Sequence, residues 1–202
     1  VVGNYEDNSN WNPSWGGAFP PLNGNVDRAM TISSNSTITR NGNLNPVTVT
    51  VNGSFIVNGD YLNNQWAGVT VKNGGRLEIF GNLTGSAAIN VENKGILIVH
   101  GNLSSTGASV NIHGDLIVAG SFSTSSSTTI QNLGNLVVGG DFTHLGGGLN
   151  TQGNSDTKIY IINPDAVVTA PDWSIVYTPD NYGDLEDFLE NEAGNQNLLD
   201  IV

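Results

Sequence analysis

The sequence predicts an all-β fold, a right-handed parallel β-helix (solenoid) of about six to seven coils, each of roughly 20 residues. Three observations support this prediction. A glycine-punctuated pattern recurs through the middle of the chain, apolar residues alternate with others inside each copy, and the same stretch has no helical periodicity. The 202 residues, 38% of them hydrophobic, are enough to form one sizeable core.

Each copy of the repeat reads glycine, any residue, apolar, any residue, apolar, any residue, glycine, polar, apolar. Successive copies begin 22, 20, 19 and 20 residues apart, and both glycines keep these spacings. The first glycine is Gly53, Gly75, Gly95, Gly114 and Gly134, and the second is Gly59, Gly81, Gly101, Gly120 and Gly140. An earlier, degenerate copy contains Ile32, Ile38, Gly42 and Leu44.

Alignment of the copies gives columns that contain only apolar residues. The first reads Phe55, Leu77, Leu97, Leu116, Leu136; the second Val57, Ile79, Val99, Val118, Val138; the third Tyr61, Leu83, Leu103, Phe122, Phe142. A fourth column, four residues before the first glycine, reads Val49, Val71, Val91, Val110, Ile130. So short a repeat cannot bury its apolar face alone, so we expect coils to stack about 4.8 Å apart with each column as one interior file. Right-handed coiling is expected from the general handedness of parallel crossovers.

A short polar residue follows the second glycine in every copy. Such side chains bond nearby backbone and tolerate sharp turns, so we expect them at a corner of the coil. A calcium or sugar ladder is the functional alternative, but a calcium-binding repeat needs a nine-residue glycine-rich period that is missing here. The residues are Asn43, Asp60, Asn82, Asn102, Ser121 and Asp141.

The repeat divides the chain into a solenoid over residues 29–170 and two flanks, together one structural domain. Residues 1–28 are rich in tryptophan and proline and are expected to cap the first coil, because an open end exposes unpaired strand edges. Residues 171–202 are expected to form a strand and then a short acidic amphipathic helix that packs on the solenoid. Leu185, Phe188 and Leu189 would share one face of that helix.

One outward-facing position of the repeat is unexpectedly apolar. It lies between the first two apolar columns, and a stripe of this kind on a rod is unusual unless something covers it. Either the C-terminal segment folds back over it or the stripe contacts a partner or a second copy. The apolar members are Ile56, Ile98, Ile117 and Val137, and Glu78 stands in the same column.

Composition narrows the possible partners. Six lysines and arginines against eighteen carboxylates give a net charge of −12, which disfavours nucleic acid and anionic membrane surfaces. No apolar run is long enough to span a bilayer, so no membrane insertion is expected. The absence of cysteine removes disulfide scaffolds and thiol catalysis.

The repeat offers no constellation for catalysis, so no enzyme, cofactor or metal is expected. His100, His113 and His144 fall in different columns and are interpreted as surface histidines, without zinc-ligand spacing. Asp115 and Asp141 occupy different corners and so do not pair as hydrolase carboxylates would. Lys72 and Glu92 share a column one coil apart, which predicts an ion pair between the two coils. Because no catalytic constellation is present in the repeats, the sequence favours a binding or structural role.

The most ligand-like segment is the return arc with Asn63, Asn64, Gln65 and Trp66. A tryptophan flanked by amides is a common arrangement for stacking on a sugar, although packing of Trp66 on the neighbouring coil would explain the same residues. The predicted partner is a glycan or a cell-surface protein.

The segments Gly114–Gly120 and Gly134–Gly140 resemble the loosely repeating β-helices of bacterial surface proteins, the adhesin and haemagglutinin-like passengers. The opening Asn10–Gly17, followed by Pro20 and Pro21, is similar to the tryptophan-rich stretch that often precedes such β-helices. The resemblance implies a secreted, non-catalytic stalk or adhesive module at the cell surface. A chain that starts at Val1 also fits removal of a secretory signal. A self-assembling structural solenoid and a carbohydrate-active enzyme are the two alternatives.

Overall fold

The fold is all-β in every part of the chain that the computed structural model describes, namely residues 2–4, 30–44, 48–64, 68–131, 134–152 and 158–170. Twenty-one short strands and no helix lie in these ranges. None of the described residues forms a helix that could cross a membrane.

The strands follow one another in a constant order. The first six are β1 (Val2–Asn4), β2 (Met30–Ile32), β3 (Thr37–Asn41), β4 (Val49–Val51), β5 (Ser54–Asn58) and β6 (Tyr61–Asn63). The middle nine are β7 (Val69–Val71), β8 (Arg76–Ile79), β9 (Leu83–Gly85), β10 (Ile89–Val91), β11 (Ile96–Val99), β12 (Leu103–Ser105), β13 (Val110–Ile112), β14 (Asp115–Val118) and β15 (Phe122–Thr124). The last six are β16 (Thr128–Gln131), β17 (Asn135–Val138), β18 (Phe142–His144), β19 (Leu149–Gln152), β20 (Lys158–Ile161) and β21 (Val168–Thr169).

Three parallel sheets run along the rod, and each full coil gives one strand to each sheet. Sheet A has the order β1-β3-β5-β8-β11-β14-β17-β20, sheet B β19-β16-β13-β10-β7-β4-β2, and sheet C β21-β18-β15-β12-β9-β6. The predicted parallel β-solenoid of about 20 residues per coil is confirmed. Its handedness stays a prediction.

The aligned apolar columns form continuous files inside the solenoid. Leu77, Leu97, Leu116 and Leu136 are paired strand to strand in sheet A, and each is 0% exposed. The other two columns stack in the same way in sheets A and C. Since alternate residues of a strand face opposite sides, the three sheets together enclose one apolar core.

The fourth predicted column is wrong as aligned. Val49 pairs with Val69, and Val51 pairs with Val71, so the interior file of sheet B runs through Val51, Val71, Val91, Ile112 and Ile130. The turn before the first glycine has two lengths, one residue at Asn52 and three residues at 72–74. An insertion of two residues preserves the inside-outside alternation, so the sequence pattern concealed the change.

The predicted polar corner is confirmed, and it forms a ladder along the rod. The side-chain oxygen of each corner residue from Asn43 to Ser121 accepts a hydrogen bond from the backbone N–H of the corner residue one coil on. The N···O distances are 3.0 Å from Asp60 to Asn43, 2.7 Å from Asn82 to Asp60, 2.8 Å from Asn102 to Asn82, 2.8 Å from Ser121 to Asn102 and 3.1 Å from Asp141 to Ser121. Neighbouring coils approach closely here: a Cβ on Gly81 would lie 2.4 Å from Oδ1 of Asp60.

The predicted flanks are described only in part. Within the predicted cap 1–28, β1 pairs with β3 and so extends sheet A by one strand before the first coil. The predicted strand and helix of 171–202 lie outside the described residues.

Candidate ligand groove and the outer faces of the sheets

The outer face of sheet B is a continuous polar surface. The central residue of each strand points away from the core because its two neighbours point inward. Register places these residues directly above one another from coil to coil. They are Thr31, Thr50, Thr70, Asn90, Asn111, Thr129 and Asn150.

A groove of about 770 Å³ lies on this face and crosses four successive coils. At about 4.8 Å per strand, four strands span about 14 Å along the rod. The side chains are mainly hydroxyls and amides. The groove is lined by Thr70, Lys72, Asn90, Val91, Glu92, Asn111, His113, Thr129 and Gln131.

The two asparagines at the centre of the groove orient each other. Nδ2 of Asn111 donates to Oδ1 of Asn90 at 2.8 Å and to Oγ of Ser109 at 3.1 Å. Both amide protons of Asn111 are thereby used. The hydrogen bonds of the pair do not use Nδ2 of Asn90 or Oδ1 of Asn111. The groove therefore offers a ligand one fixed donor, Nδ2 of Asn90, beside one fixed acceptor, Oδ1 of Asn111.

The charge of the groove is balanced. Lys72 and Glu92 form the predicted ion pair between neighbouring coils, which is thereby confirmed, and their side chains are 40% and 41% exposed. His113 is half-buried and the remaining lining residues are uncharged. A nearly neutral groove thus lies on a chain whose net charge is −12.

Two residues of the predicted ligand segment are described, Asn63 at the end of β6 and Asn64 directly after it. Trp66 and Gln65 are outside the described residues, and Asn64 is exposed. Asn63 is 1% exposed, and its Nδ2 donates at 2.9 Å to the carbonyl of Ala87 in the next coil. Its amide therefore bridges two coils inside the solenoid.

The outer face of sheet A differs from that of sheet B. Ile98, Ile117 and Val137 are 0% exposed although they point away from the core, and Tyr160 in the same file is 3% exposed. Ile56, nearer the start of the rod, is only half-buried. Most residues of the predicted apolar stripe are therefore shielded from solvent, although their side chains point away from the solenoid core.

A charged cluster interrupts this file at Glu78. Its Oε2 accepts a hydrogen bond from Nη2 of Arg76 at 2.9 Å, and its Oε1 lies 2.9 Å from Nε2 of His100. The ring of His100 also stacks on Phe80, with centroids 4.3 Å apart. Burial raises the pKa of Glu78, but the hydrogen bonds from His100 and Arg76 and the charge of Arg76 outweigh it and hold the pKa below its ordinary value.

Sequence analysis missed this cluster because Glu78 and His100 are diagonal neighbours. Glu78 lies on β8 opposite Ile98 of β11, and His100 directly follows β11, two positions beyond Ile98, so a comparison of columns separates the two residues. The pair could have been found from the sequence, because both positions are predicted to face outward and they lie in neighbouring coils.

The interpretation of His144 as a surface residue is wrong. It is the third residue of β18, faces inward like Phe142 and is 4% exposed. Thr124 precedes it in the file, and burial lowers the pKa of its imidazole. The sequence does carry the signal: His144 lies two residues after Phe142, a member of an inward-facing column, so alternation along the strand predicts that His144 also faces inward.

Among the described residues, no group of three or more His, Cys, Asp or Glu side chains could hold a metal ion. Comparison with protein-family models, curated proteins and solved structures found no match to this chain.

Proposed function

We propose that this protein is a rigid, non-catalytic module of the cell surface, secreted and adhesin-like, which presents the outer face of sheet B to a neutral glycan. The observation that carries the proposal is the groove across four coils, lined by amides and hydroxyls and balanced in charge. Hydroxylated ligands are recognised by such fixed donor and acceptor pairs.

The chemistry of the groove favours a neutral glycan over a charged ligand. A polyanion would meet a groove with one lysine, already paired with Glu92, on a chain of strongly negative net charge. A polycation would meet one carboxylate, Glu92, which is paired as well. An uncharged polysaccharide needs no unpaired charge, and a surface repeating every coil suits a ligand that is itself a repeating chain.

The non-catalytic part of the proposal is supported by the distribution of carboxylates. Glu92 is the one carboxylate that lines the groove among the described residues, and glycoside hydrolysis ordinarily needs two. Glu78, on β8 of sheet A, and His100, directly after β11, do not line the groove. We therefore expect binding without release of reducing ends.

Binding to an array of neutral and charged polysaccharides, with and without calcium, tests the proposal. Thr70→Trp places a large ring in the groove and should weaken binding to the best neutral glycan at least about tenfold. Thr84→Trp is the matched control: Thr84 belongs to the same coil, is half-buried like Thr70 and points outward from sheet C. It should change affinity less than about twofold. Absence of any glycan binding, or equal loss in both variants, would overturn the proposal.

A self-assembling solenoid is the second candidate, and exposed residues at the last coil favour it. Leu145 is 71% exposed, Val167 is 63% exposed and Val168, in the end strand of sheet C, is 39% exposed. Apolar residues at the last described strand of a sheet favour end-to-end pairing wherever that edge is unpaired. Light scattering over a wide concentration range tests it: growth that Val167→Lys abolishes would support assembly, and a constant monomer mass would exclude it.

A further inference from the structure

We infer that ordered water molecules are bound inside the solenoid at the C–B corner, the turn between sheets C and B, in the coils of β12, β15 and β18. Most of the interior is apolar, but the buried side chains at this corner are polar. Water binding here is independent of glycan binding, because these side chains face the core and do not line the groove. They are Ser105, Thr124, Ser126, Thr128 and His144.

Backbone register brings these five side chains into one part of the core. Ser105 pairs with Thr124, and Thr124 pairs with His144, so the three form an inward file across neighbouring coils. Along the middle coil, Thr124, Ser126 and Thr128 are buried and the residues between them are exposed. Inward and outward positions therefore alternate through the turn, and the two rows of polar side chains cross at Thr124.

The turn of the middle coil is shorter than its two neighbours. Three residues, 125–127, connect β15 to β16, whereas four residues, 106–109 and 145–148, make the same connection in the adjacent coils. Only the three-residue turn preserves strict alternation from one strand to the next, and this directs Ser126 toward the core. The backbone N–H of Ser126 donates to Oγ1 of Thr124 at 3.0 Å, which leaves the hydroxyl of Ser126 to bond elsewhere.

Five polar atoms at the corner have no hydrogen-bond partner among the described residues. They are Oγ of Ser105, Oγ of Ser126, Oγ1 of Thr128 and both ring nitrogens of His144. None of these four residues is more than 6% exposed. Because buried polar groups in proteins nearly always bond another group or an ordered water, five such atoms together indicate a bound polar molecule small enough to lie between them.

The chemistry of the corner favours water over an ion. Among the buried described residues other than His144, Arg40 is the one with an ionisable side chain, and it lies on β3 near the first coil. A buried ion would therefore have no opposite charge at the corner. Burial lowers the pKa of His144 more than contact with its own backbone raises it, which favours the neutral ring. A neutral imidazole has one donor and one acceptor, and hydroxyls both donate and accept, so water can satisfy all five atoms.

The distance between coils also suits water. Matching positions on neighbouring strands are about 4.8 Å apart, which is too far for a direct hydrogen bond between matching side-chain atoms. A water molecule that bonds two atoms at its tetrahedral angle, with hydrogen bonds about 2.8 Å long, spans about 4.6 Å. Water can therefore bridge the hydroxyls of one coil to the polar side chain of the next.

Oxygen-17 relaxation dispersion of water in solutions of the full chain tests the inference, because its amplitude reports water molecules held inside the protein. Thr128→Val with His144→Leu removes three of the five unpaired atoms and should lower the amplitude by the equivalent of about one water molecule or more. The matched control is Thr143→Val, since Thr143 is half-buried and points outward from β18. It should leave the amplitude unchanged. An equal amplitude in the double variant and the unchanged chain would overturn the inference.

The stability of Thr128→Val gives a second measurement, because valine keeps the shape of threonine and removes only the hydroxyl. If water bonds this hydroxyl, valine leaves that water without a partner, and the equilibrium constant for unfolding in urea should rise at least about fivefold. If the hydroxyl is unpaired in a dry core, valine removes the cost of burying it and the constant should fall. Thr143→Val should change the constant less than about twofold. An unchanged or smaller constant in Thr128→Val would show that the corner is dry.

Discussion

The outer faces of sheets A and B are made by the same coils and yet have opposite surfaces. On sheet A, Ile98 and Ile117 are apolar and fully buried; on sheet B, Asn90 and Asn111 are polar, half-buried and line a groove. Behind both faces the inward files are equally apolar. The difference teaches that inward residues specify the solenoid, whereas outward residues are free to specify what each face contacts.

The two faces also treat charge differently. Glu78 on sheet A has a side chain only 14% exposed and is held by two partners. Glu92 on sheet B has a side chain 41% exposed and is held by one. Burial raises both the cost of an unpaired charge and the strength of the bonds that satisfy it. Substitutions on sheet A should therefore have larger effects on stability than matching substitutions on sheet B.

The largest effect is expected for Ile117→Lys. The side chain is 0% exposed, so the variant must bury an ammonium group without a designed partner or open the face, at about 3 kcal/mol or more of unfolding free energy. Urea denaturation followed by circular dichroism measures the loss. Thr70→Lys, the control on sheet B, should change stability by about 0.5 kcal/mol or less. Similar losses in both variants would refute the distinction between the faces.

A smaller loss, about 1–2 kcal/mol at neutral pH, is expected for Glu78→Gln, because a neutral amide replaces the carboxylate that Arg76 and His100 contact. The pKa of Glu78 is lowered in the folded protein, so its contribution is fully present above the ordinary value near 4.5. It is lost as the pH falls through the folded pKa.

Urea denaturation at pH 7, 5 and 3 checks that pH dependence. The difference between the unchanged chain and Glu78→Gln should shrink toward zero at the lowest pH. Glu92→Gln serves as the sheet B control, with about 0.5 kcal/mol or less at every pH. A Glu78→Gln difference that stays constant with pH would mean that the carboxylate contributes nothing through its charge.

The sequence was sufficient to predict the core and the corner because both repeat. Leu97 must lie above Leu77, and Asn102 above Asn82, once the coil length is known. The error in the column through Val49 arose where a turn changed length by two residues. When the number of turn residues changes by two, inward and outward positions still alternate, so the change cannot be detected from the periodicity of the sequence.

The candidate site was predicted less well because it depends on side-chain relations between coils. The Lys72–Glu92 pair was predicted, since both occupy one column. The groove was not, because Thr70, Asn111 and Gln131 become neighbours only after the two turn lengths are known. The bond of Glu78 to His100 was missed because the two residues stand in different columns, and the inward direction of His144 was missed because the alternation from Phe142 was not extended to it.

Removal of an aromatic ring at the margin of the sheet A face should have a modest effect. Phe80 is 51% exposed but stacks on His100, which in turn bonds Glu78. Phe80→Ala should cost about 0.5–1.5 kcal/mol in unfolding free energy. Phe80→Leu keeps apolar area without the ring and separates stacking from burial. No loss in Phe80→Ala would show that the stacked pair does not strengthen the cluster.

The smallest effect on stability is expected on sheet B for Lys72→Met, which keeps the length of the side chain but removes its charge. Both partners of the ion pair are about two-fifths exposed, so the loss should be about 0.5 kcal/mol or less and should vanish in high salt. A double-mutant cycle with Glu92→Gln measures the coupling. The contrast with Glu78 is the decisive comparison: if breaking the exposed pair costs as much as breaking the buried cluster, burial does not distinguish the two faces.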